Sequence, residues 1–157
     1  MQFWCRWLLD DHLVLESGAF LDRGAIIWID AAASSKGTIR LGKNAYVGPY
    51  AFLGCCHRLE IGDDAMIGAH SYITTANHVT QRRDIPYGIQ GYVGGDVRIG
   101  RNVWIGCNVV ILPNVTIGDH AIIGAGAVVN KDVPAGEVWG GVPAKRLNSR
   151  RSNADHP

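Results

Sequence analysis

The chain has 157 residues, with 15 Lys or Arg against 14 Asp or Glu, for a formal net charge of +1. That near balance excludes a protein built to coat nucleic acid or an anionic membrane. An apolar share of 47% with only 18% charged residues excludes an intrinsically disordered chain, and six prolines without a Gly-X-Y period exclude collagen even though glycine reaches 20 residues, roughly 13% against a usual 7%.

The N-terminal stretch MQFWCRWLLDDHLVLESG meets Asp10 and Asp11 before any apolar run of signal-peptide length. No uncharged apolar run of about 18 residues follows, so a cytoplasmic protein without a membrane span is expected. The cysteines are Cys5, Cys55, Cys56 and Cys107. The vicinal pair is poor disulfide geometry and no C-x-x-C is present, so reduced, mostly core-filling thiols are expected.

From Leu15 onward an aliphatic residue recurs every six positions: Leu15, Leu21, Ile27 and Ala33, then Leu41, Val47 and Leu53, then Ile61, Ile67 and Ile73. After a gap the series resumes as Ile99, Ile105, Ile111, Ile117, Ile123 and Val129, with Val103, Val109, Val115, Ala121, Ala127 and Val133 four residues behind. Of these 16 leading positions 15 are Ile, Leu or Val, and nine are followed directly by Gly. A period of six is neither the 3.6 of a helix nor the alternation of a hairpin sheet. It predicts a short strand and a bend, repeated, with the aliphatic residue inward and a small residue relieving the corner.

Three such sides close a coil, and coils stack at about 4.8 Å. The steps from Leu21 to Leu41 to Ile61 carry two extra residues, expected at one corner in TIRLG, RLEIG and VRIG. The reading is an all-β, single-domain parallel β-helix of about five triangular coils, over about 15–76 and 97–138. Between Ile73 and Ile99 about 20 residues, NHVTQRRDIPYGIQGYVGGD (77–96), leave the prism as one long excursion loop. A short C-terminal segment, 139–157, follows. Long loops in compact solenoids carry function.

His78 stands at the base of that loop among polar neighbours in TTANHVT. A free imidazole titrates near 6.5, which suits a general base. His57 and His70 fall at coil corners, His120 in the turn IGDHA, and His12 and His156 near the termini; these are expected to be structural or solvent-facing.

The hexads, the loop and the closing WGGVPAKRL together resemble the hexapeptide-repeat acyltransferases, over about residues 15–147. Within them, NHVTQRRDIPYGIQG followed by VRIGRNVWIGCNVVILPNVTIGDHAIIGAGAVVNKDVP is most similar to bacterial O-acetyltransferases acting on sugars and surface polysaccharides. The resemblance implies a left-handed helix, a homotrimer with active sites between neighbouring prisms, acetyl-CoA as cosubstrate and no metal. It implies His78 as catalytic base and the backbone amide of Cys107, after Trp-Ile-Gly, as oxyanion donor. A cysteine nucleophile at 107 is disfavoured, because no cation flanks it in sequence to hold a thiolate.

Trp104 and Asn77 are expected beside the reacting groups. By match Ala125, Gly126, Asn130, Lys131, Gly141, Pro143 and Lys145 line the coenzyme A site, where Lys131, Lys145 and Arg146 suit the nucleotide phosphates; Arg150 and Arg151 read as a solvated tail. One departure concerns the acceptor. Galactoside and maltose acetyltransferases carry an Asn on a coil before the histidine, and here AYVGPYAF puts Pro49 near that place. Asn77, Tyr87, Gln90 and Tyr92 are the expected sugar contacts instead. The sequence does not identify the partner that orients His78; a backbone carbonyl and Asp84 both stand open.

Three other functions compete. N-acylation of an amino-sugar nucleotide shares the fold, although relatives of that kind often carry an extra nucleotide-binding domain. A γ-carbonic-anhydrase-like metal site could draw on His57, His70 and His78, but their spacing lacks the close pair such a site needs near the loop. A binding scaffold without chemistry would leave the loop and its histidine unexplained.

Overall fold

Each hexad spends about two residues on an extended side and the rest on turning the chain, so the strands are short and their hydrogen bonds go to the coils above and below. The computed structural model describes residues 12–30 and 37–149. Cys5, Ala33, Arg150, Arg151 and His156 lie outside the described residues.

The first coil is β1 (Leu13–Leu15), β2 (Phe20–Leu21) and β3 (Ile26–Ile29). The second is β4 (Thr38–Leu41), β5 (Tyr46–Val47) and β6 (Phe52–Cys55), and the third β7 (Arg58–Ile61), β8 (Met66–Ile67) and β9 (Tyr72–Thr74). The excursion follows as β10 (Ala76–His78) and β11 (Tyr92–Gly94). The fourth coil is β12 (Val97–Ile99), β13 (Trp104–Ile105) and β14 (Val110–Ile111), and the fifth β15 (Thr116–Ile117), β16 (Ile122–Ile123) and β17 (Val128–Val129). The chain closes with β18 (Glu137–Gly140) and β19 (Lys145–Ser149).

Strands β1, β4, β7, β12 and β15 form the first face of the prism; β2, β5, β8, β13, β16 and β18 the second; β3, β6, β9, β14 and β17 the third. All pair in parallel, and β19 alone folds back antiparallel on β18.

The inward column is the hexad series. Leu41, Val47, Leu53, Ile61, Ile67, Ile73, Ile105, Ile111, Ile117 and Ile123 are fully enclosed. Leu15, at the foot of the prism, is 43% exposed. The two extra residues of the lower coils do not sit in a corner as expected. They are absorbed into longer strands, and the added inward positions are Ile39, Leu59 and Val97, each 0% exposed and stacked in register.

Outward, the faces differ. The first face shows Val14, Arg40, Glu60, Arg98 and Thr116 in one column, laced by Arg40–Glu16 (3.0 Å), Arg98–Glu60 (3.5 Å) and Arg98–Asp96 (3.3 Å). The second shows Phe20, Tyr46, Met66, Trp104 and Ile122, and the third Ile26, Phe52, Tyr72, Val110 and Val128. Phe20, Met66, Trp104, Ile26 and Tyr72 are all among the exposed large apolar side chains. Apolar columns of this size, beside a face that carries its own ion pairs, are surfaces suited to being covered.

Candidate active site

The corner between the second and third faces stacks four tight turns: Gly48-Pro49-Tyr50, Gly68-Ala69-His70, Gly106-Cys107-Asn108 and Gly124-Ala125-Gly126. The third residue of each has positive φ, at 57° for Tyr50, 58° for His70, 57° for Asn108 and 72° for Gly126. Its N–H donates to the middle residue's carbonyl one coil below: His70 to Pro49 (3.0 Å), Asn108 to Ala69 and Gly126 to Cys107 (both 2.9 Å). The coils approach so closely that a Cβ on Gly106 would stand 2.6 Å from the Ala125 nitrogen.

The corner between the first and second faces is built the same way, with the turns Gly42-Lys43-Asn44, Gly62-Asp63-Asp64, Gly100-Arg101-Asn102 and Gly118-Asp119-His120. There two of the four middle amides find carboxylates. Lys43 N–H donates to Asp63 Oδ1 (2.8 Å) and Arg101 N–H to Asp119 Oδ1 (3.0 Å), while Arg101 Nε reaches Asp119 Oδ2 at 3.0 Å. The Arg101 amide, foremost, and then its guanidinium hold the Asp119 carboxyl below the ordinary carboxylate range.

In the corner carrying Cys107 the middle positions are Ala69, Cys107 and Ala125, and nothing reaches down. Their N–H groups make no hydrogen bond to any described residue. Cys107 and Ala125 are exposed. A column of outward amide donors on a rigid corner is chemically an anion and carbonyl-oxygen binder. Trp104, 54% exposed, stands three residues before Cys107 on the second face.

The excursion is built on a β-hairpin. β10 and β11 pair antiparallel with Asn77 opposite Val93 and His78 opposite Tyr92. The His78 and Tyr92 rings meet at 4.7 Å between centroids, tilted 33°. Strand alternation turns Asn77 to the other side of the hairpin from His78, so Asn77 does not flank the imidazole across the strand. Asp84, one of the two orienters left open, is engaged in a two-point ion pair with Arg82 that holds its carboxyl below the usual range; the contact His78 makes is with Tyr92. Tyr87 is exposed on a short 3-10 turn, 87–89, at the tip. Gln90 is spent inside the loop: its amide donates to the carbonyls of Arg82 (2.7 Å) and Ile85 (3.0 Å) and accepts from Arg82 N–H (3.1 Å). That use removes it from the free sugar contacts expected of it.

The hairpin leaves at the far end of β9, whereas Cys107 lies just before β14, the strand stacked on β9. One full face, about six residues or roughly 20 Å at 3.3 Å per residue, separates the two places within a chain.

On the upper coils, Gly126 opens onto free space, since a Cβ there would meet no atom within 4 Å. Ala125, Asn130, Gly141, Pro143 and Lys145 are exposed around it. Val128 N–H donates to Gly141 O (3.0 Å) and Ala144 N–H to Val128 O (2.8 Å), which ties the C-terminal turn to this strip. Lys131 Nζ lies 5.1 Å from the centre of the Trp139 ring and Arg146 pairs with Glu137 at 3.2 Å, so Lys145 is the uncommitted cation of the three. An exposed strip of small residues with a nearby ammonium fits an extended, phosphate-ended cosubstrate.

Cys55 and Cys56 take no part. Burial pushes the Cys55 thiol up to about 11, and raises that of Cys56. No group of three His, Cys, Asp or Glu side chains fit to hold a metal occurs among the described residues, and no described helix is long and apolar enough to cross a membrane.

The family described as bacterial transferase hexapeptide (six repeats) matches residues 96–131. A maltose O-acetyltransferase from Clostridium difficile 630 is 30% identical, with 88% of this chain and 72% of that one covered at a TM-score of 0.68. The chain belongs to the hexapeptide-repeat acyltransferases. Its prism is therefore the left-handed one of that family. A second hexapeptide-repeat acetyltransferase, from Vibrio cholerae O1 biovar eltor and complexed with acetyl coenzyme A, is 28% identical over 87% of this chain and 73% of that one (TM-score 0.70). A galactoside acetyltransferase in complex with coenzyme A is 27% identical over 89% and 68% (TM-score 0.71). No curated protein matches the chain by sequence. The hexapeptide match falls on the fourth and fifth coils, the ones that carry Trp104, Cys107, Ala125 and Gly126.

Proposed function

We propose that the chain transfers an acetyl group from acetyl-CoA to a hydroxyl of a sugar or surface-polysaccharide precursor, in the cytoplasm. The observation that carries this reading is the column of open amides at Cys107 and Ala125, beside a corner of the same build where Asp63 and Asp119 cap the amides of Lys43 and Arg101. Acetyl-CoA supplies a thioester whose carbonyl carbon is the acyl donor. His78 takes the proton of the acceptor hydroxyl as that oxygen attacks, and gives it to the sulfur as the carbon–sulfur bond breaks. The Cys107 N–H donates to the carbonyl oxygen while negative charge gathers there. Ala125, Gly126 and Asn130 line the path of the pantetheine arm, with Lys131, Gly141, Pro143 and Lys145 toward the nucleotide end. Trp104 borders the reacting groups, and Tyr87 and Tyr92 face the acceptor.

The site takes its two halves from two copies in this account. Since a whole face lies between the His78 hairpin and the Cys107 corner of one chain, the His78 of one copy meets the Cys107 of the next in a trimer that also covers the apolar second and third faces. His78→Ala is expected to lower acetyl-CoA-dependent thiol release by about 10²–10⁴-fold with the oligomer intact. Unchanged turnover in that variant would sink His78 as the base, and turnover of amines with every saccharide refused would sink the hydroxyl assignment.

A further inference from the structure

The tip of the hairpin forms an open, solvent-facing cavity of about 380 Å³ lined by Arg82, Arg83, Asp84, Ile85, Pro86 and Tyr87. Its walls are held in place. The Gln90 amide makes three hydrogen bonds across the loop, to Arg82 and Ile85, and Val79 N–H donates to Gly91 O at 3.0 Å across the hairpin's neck. Arg82 is neutralised by Asp84. Arg83 is the exception: it is exposed and makes no hydrogen bond or ion pair with any described residue. The cavity therefore carries one unspent guanidinium beside the exposed Tyr87 ring, 61% accessible. A planar fork of donors next to an aromatic face suits a carboxylate or phosphate attached to a sugar ring. Arg83 is five residues from His78, so the two are at most about 17 Å apart along extended chain, the scale of a short oligosaccharide.

We propose that the acceptor is an acidic saccharide, and that Arg83 in the hairpin-tip cavity binds its anionic group while His78 on the same hairpin addresses its hydroxyl. The inference rests on the acetyl-transfer reading of the site and names its substrate class. Charge is the discriminant: a neutral sugar leaves Arg83 without a partner, whereas an acidic one gains a charge-assisted pair.

The test uses the full-length protein with three probes of one size: maltose, maltobionic acid, which bears a carboxylate, and maltose 1-phosphate. Thiol release from acetyl-CoA gives KM and kcat for each, and calorimetry gives binding without turnover. At low salt the acids are expected to show a KM about tenfold or more below that of maltose. The better of the two distinguishes carboxylate from phosphate. Arg83→Gln is expected to raise KM for the acids about tenfold with little change in kcat, and Arg83→Lys to recover part of the loss. Equal KM values for acids and maltose, or acid binding untouched in Arg83→Gln, overturn the inference while leaving the acetyl-transfer reading standing. A change of oligomeric state in Arg83→Gln without loss of acid binding also overturns it, by making Arg83 an interface residue. Should none of the three be acetylated, the hydroxyl-transfer reading is what suffers. Calorimetry then decides the cavity: acid binding lost in Arg83→Gln supports it, and no acid binding to the wild type overturns it.

Discussion

Two corners of one prism share a backbone and differ in a single position of the turn. Both repeat a glycine, a middle residue and a residue at positive φ, and both pass the third N–H to the coil below. Where the middle residue is Asp63 or Asp119, its carboxylate closes the amide beneath, so Lys43 and Arg101 present no free donor. Where it is Ala69, Cys107 or Ala125, the amides stay open to the outside. A repeat protein thus separates holding from binding by placing a carboxylate at the middle position of alternate coils, leaving the main chain to present the donors elsewhere.

The largest expected effect comes from closing the gap between coils. Gly106→Ala drives a Cβ to 2.6 Å from a backbone nitrogen that cannot yield cheaply. A loss of about 3 kcal/mol or more is expected, or roughly 6–12 °C in Tm for a chain of this size. Gly126→Ala meets no atom within 4 Å and bears only the strain of φ 72°, about 1–2 kcal/mol. Equal Tm losses in thermal melts of the two variants would mean that the close stacking of this corner is not what sets the glycine.

The finished corner is sharpened by pH. The Asp119 carboxyl is held below its ordinary value by the Arg101 amide, so its contribution is complete above the unfolded carboxyl's pKa of about 3.9 and is lost as pH falls through the lower folded value. Asp119→Asn should therefore melt a few degrees below wild type at pH 7, and the two should converge as pH falls through the lowered folded value. The effect is modest because the pair is half exposed. A gap that persists at acid pH would assign the loss to packing instead of charge.

Smaller still is the contrast among thiols. Cys107 on the open corner should label with a maleimide within the native state, while Cys55, enclosed and raised to about 11, labels only on unfolding. Mass spectrometry of the peptides reads this directly; native labelling of Cys55 would contradict its burial.

Much of this was legible in the residues. The six-residue aliphatic period marks the inward column because a side chain that must enter a thin triangular core recurs once per side, and His78 is conspicuous because the period breaks beside it. The register of the excursion was not legible. Pairing of His78 with Tyr92 depends on two strands 14 positions apart finding one another, and the intervening NHVTQRRDIPYGIQGY has no alternation to announce it. Gln90 was misread for a related reason. A polar side chain in a loop looks free until the loop's own carbonyls are seen to claim it. The step of 20 shows two added residues per lower coil but does not tell a longer strand from a wider corner, because two residues preserve strand alternation; the structure puts them in the strands that carry Ile39 and Leu59. Arg83 gave only the weak signal of an Arg-Arg pair; its isolation emerges once Asp84 is seen to serve Arg82.

In the proposed reaction a backbone N–H at the open corner does chemistry that no side chain there does. Proline already occupies the same turn position two coils below, at Pro49, followed by Tyr50 at the same positive φ as Asn108. Cys107→Pro therefore removes the donor while keeping a turn the prism tolerates, and Cys107→Ala removes the thiol while keeping the donor. With both variants folded and assembled as wild type, kcat for acetyl transfer is expected to fall about 10²–10³-fold in Cys107→Pro and to stay within about twofold of wild type in Cys107→Ala. The reverse result, full activity with proline or loss with alanine, would contradict the account.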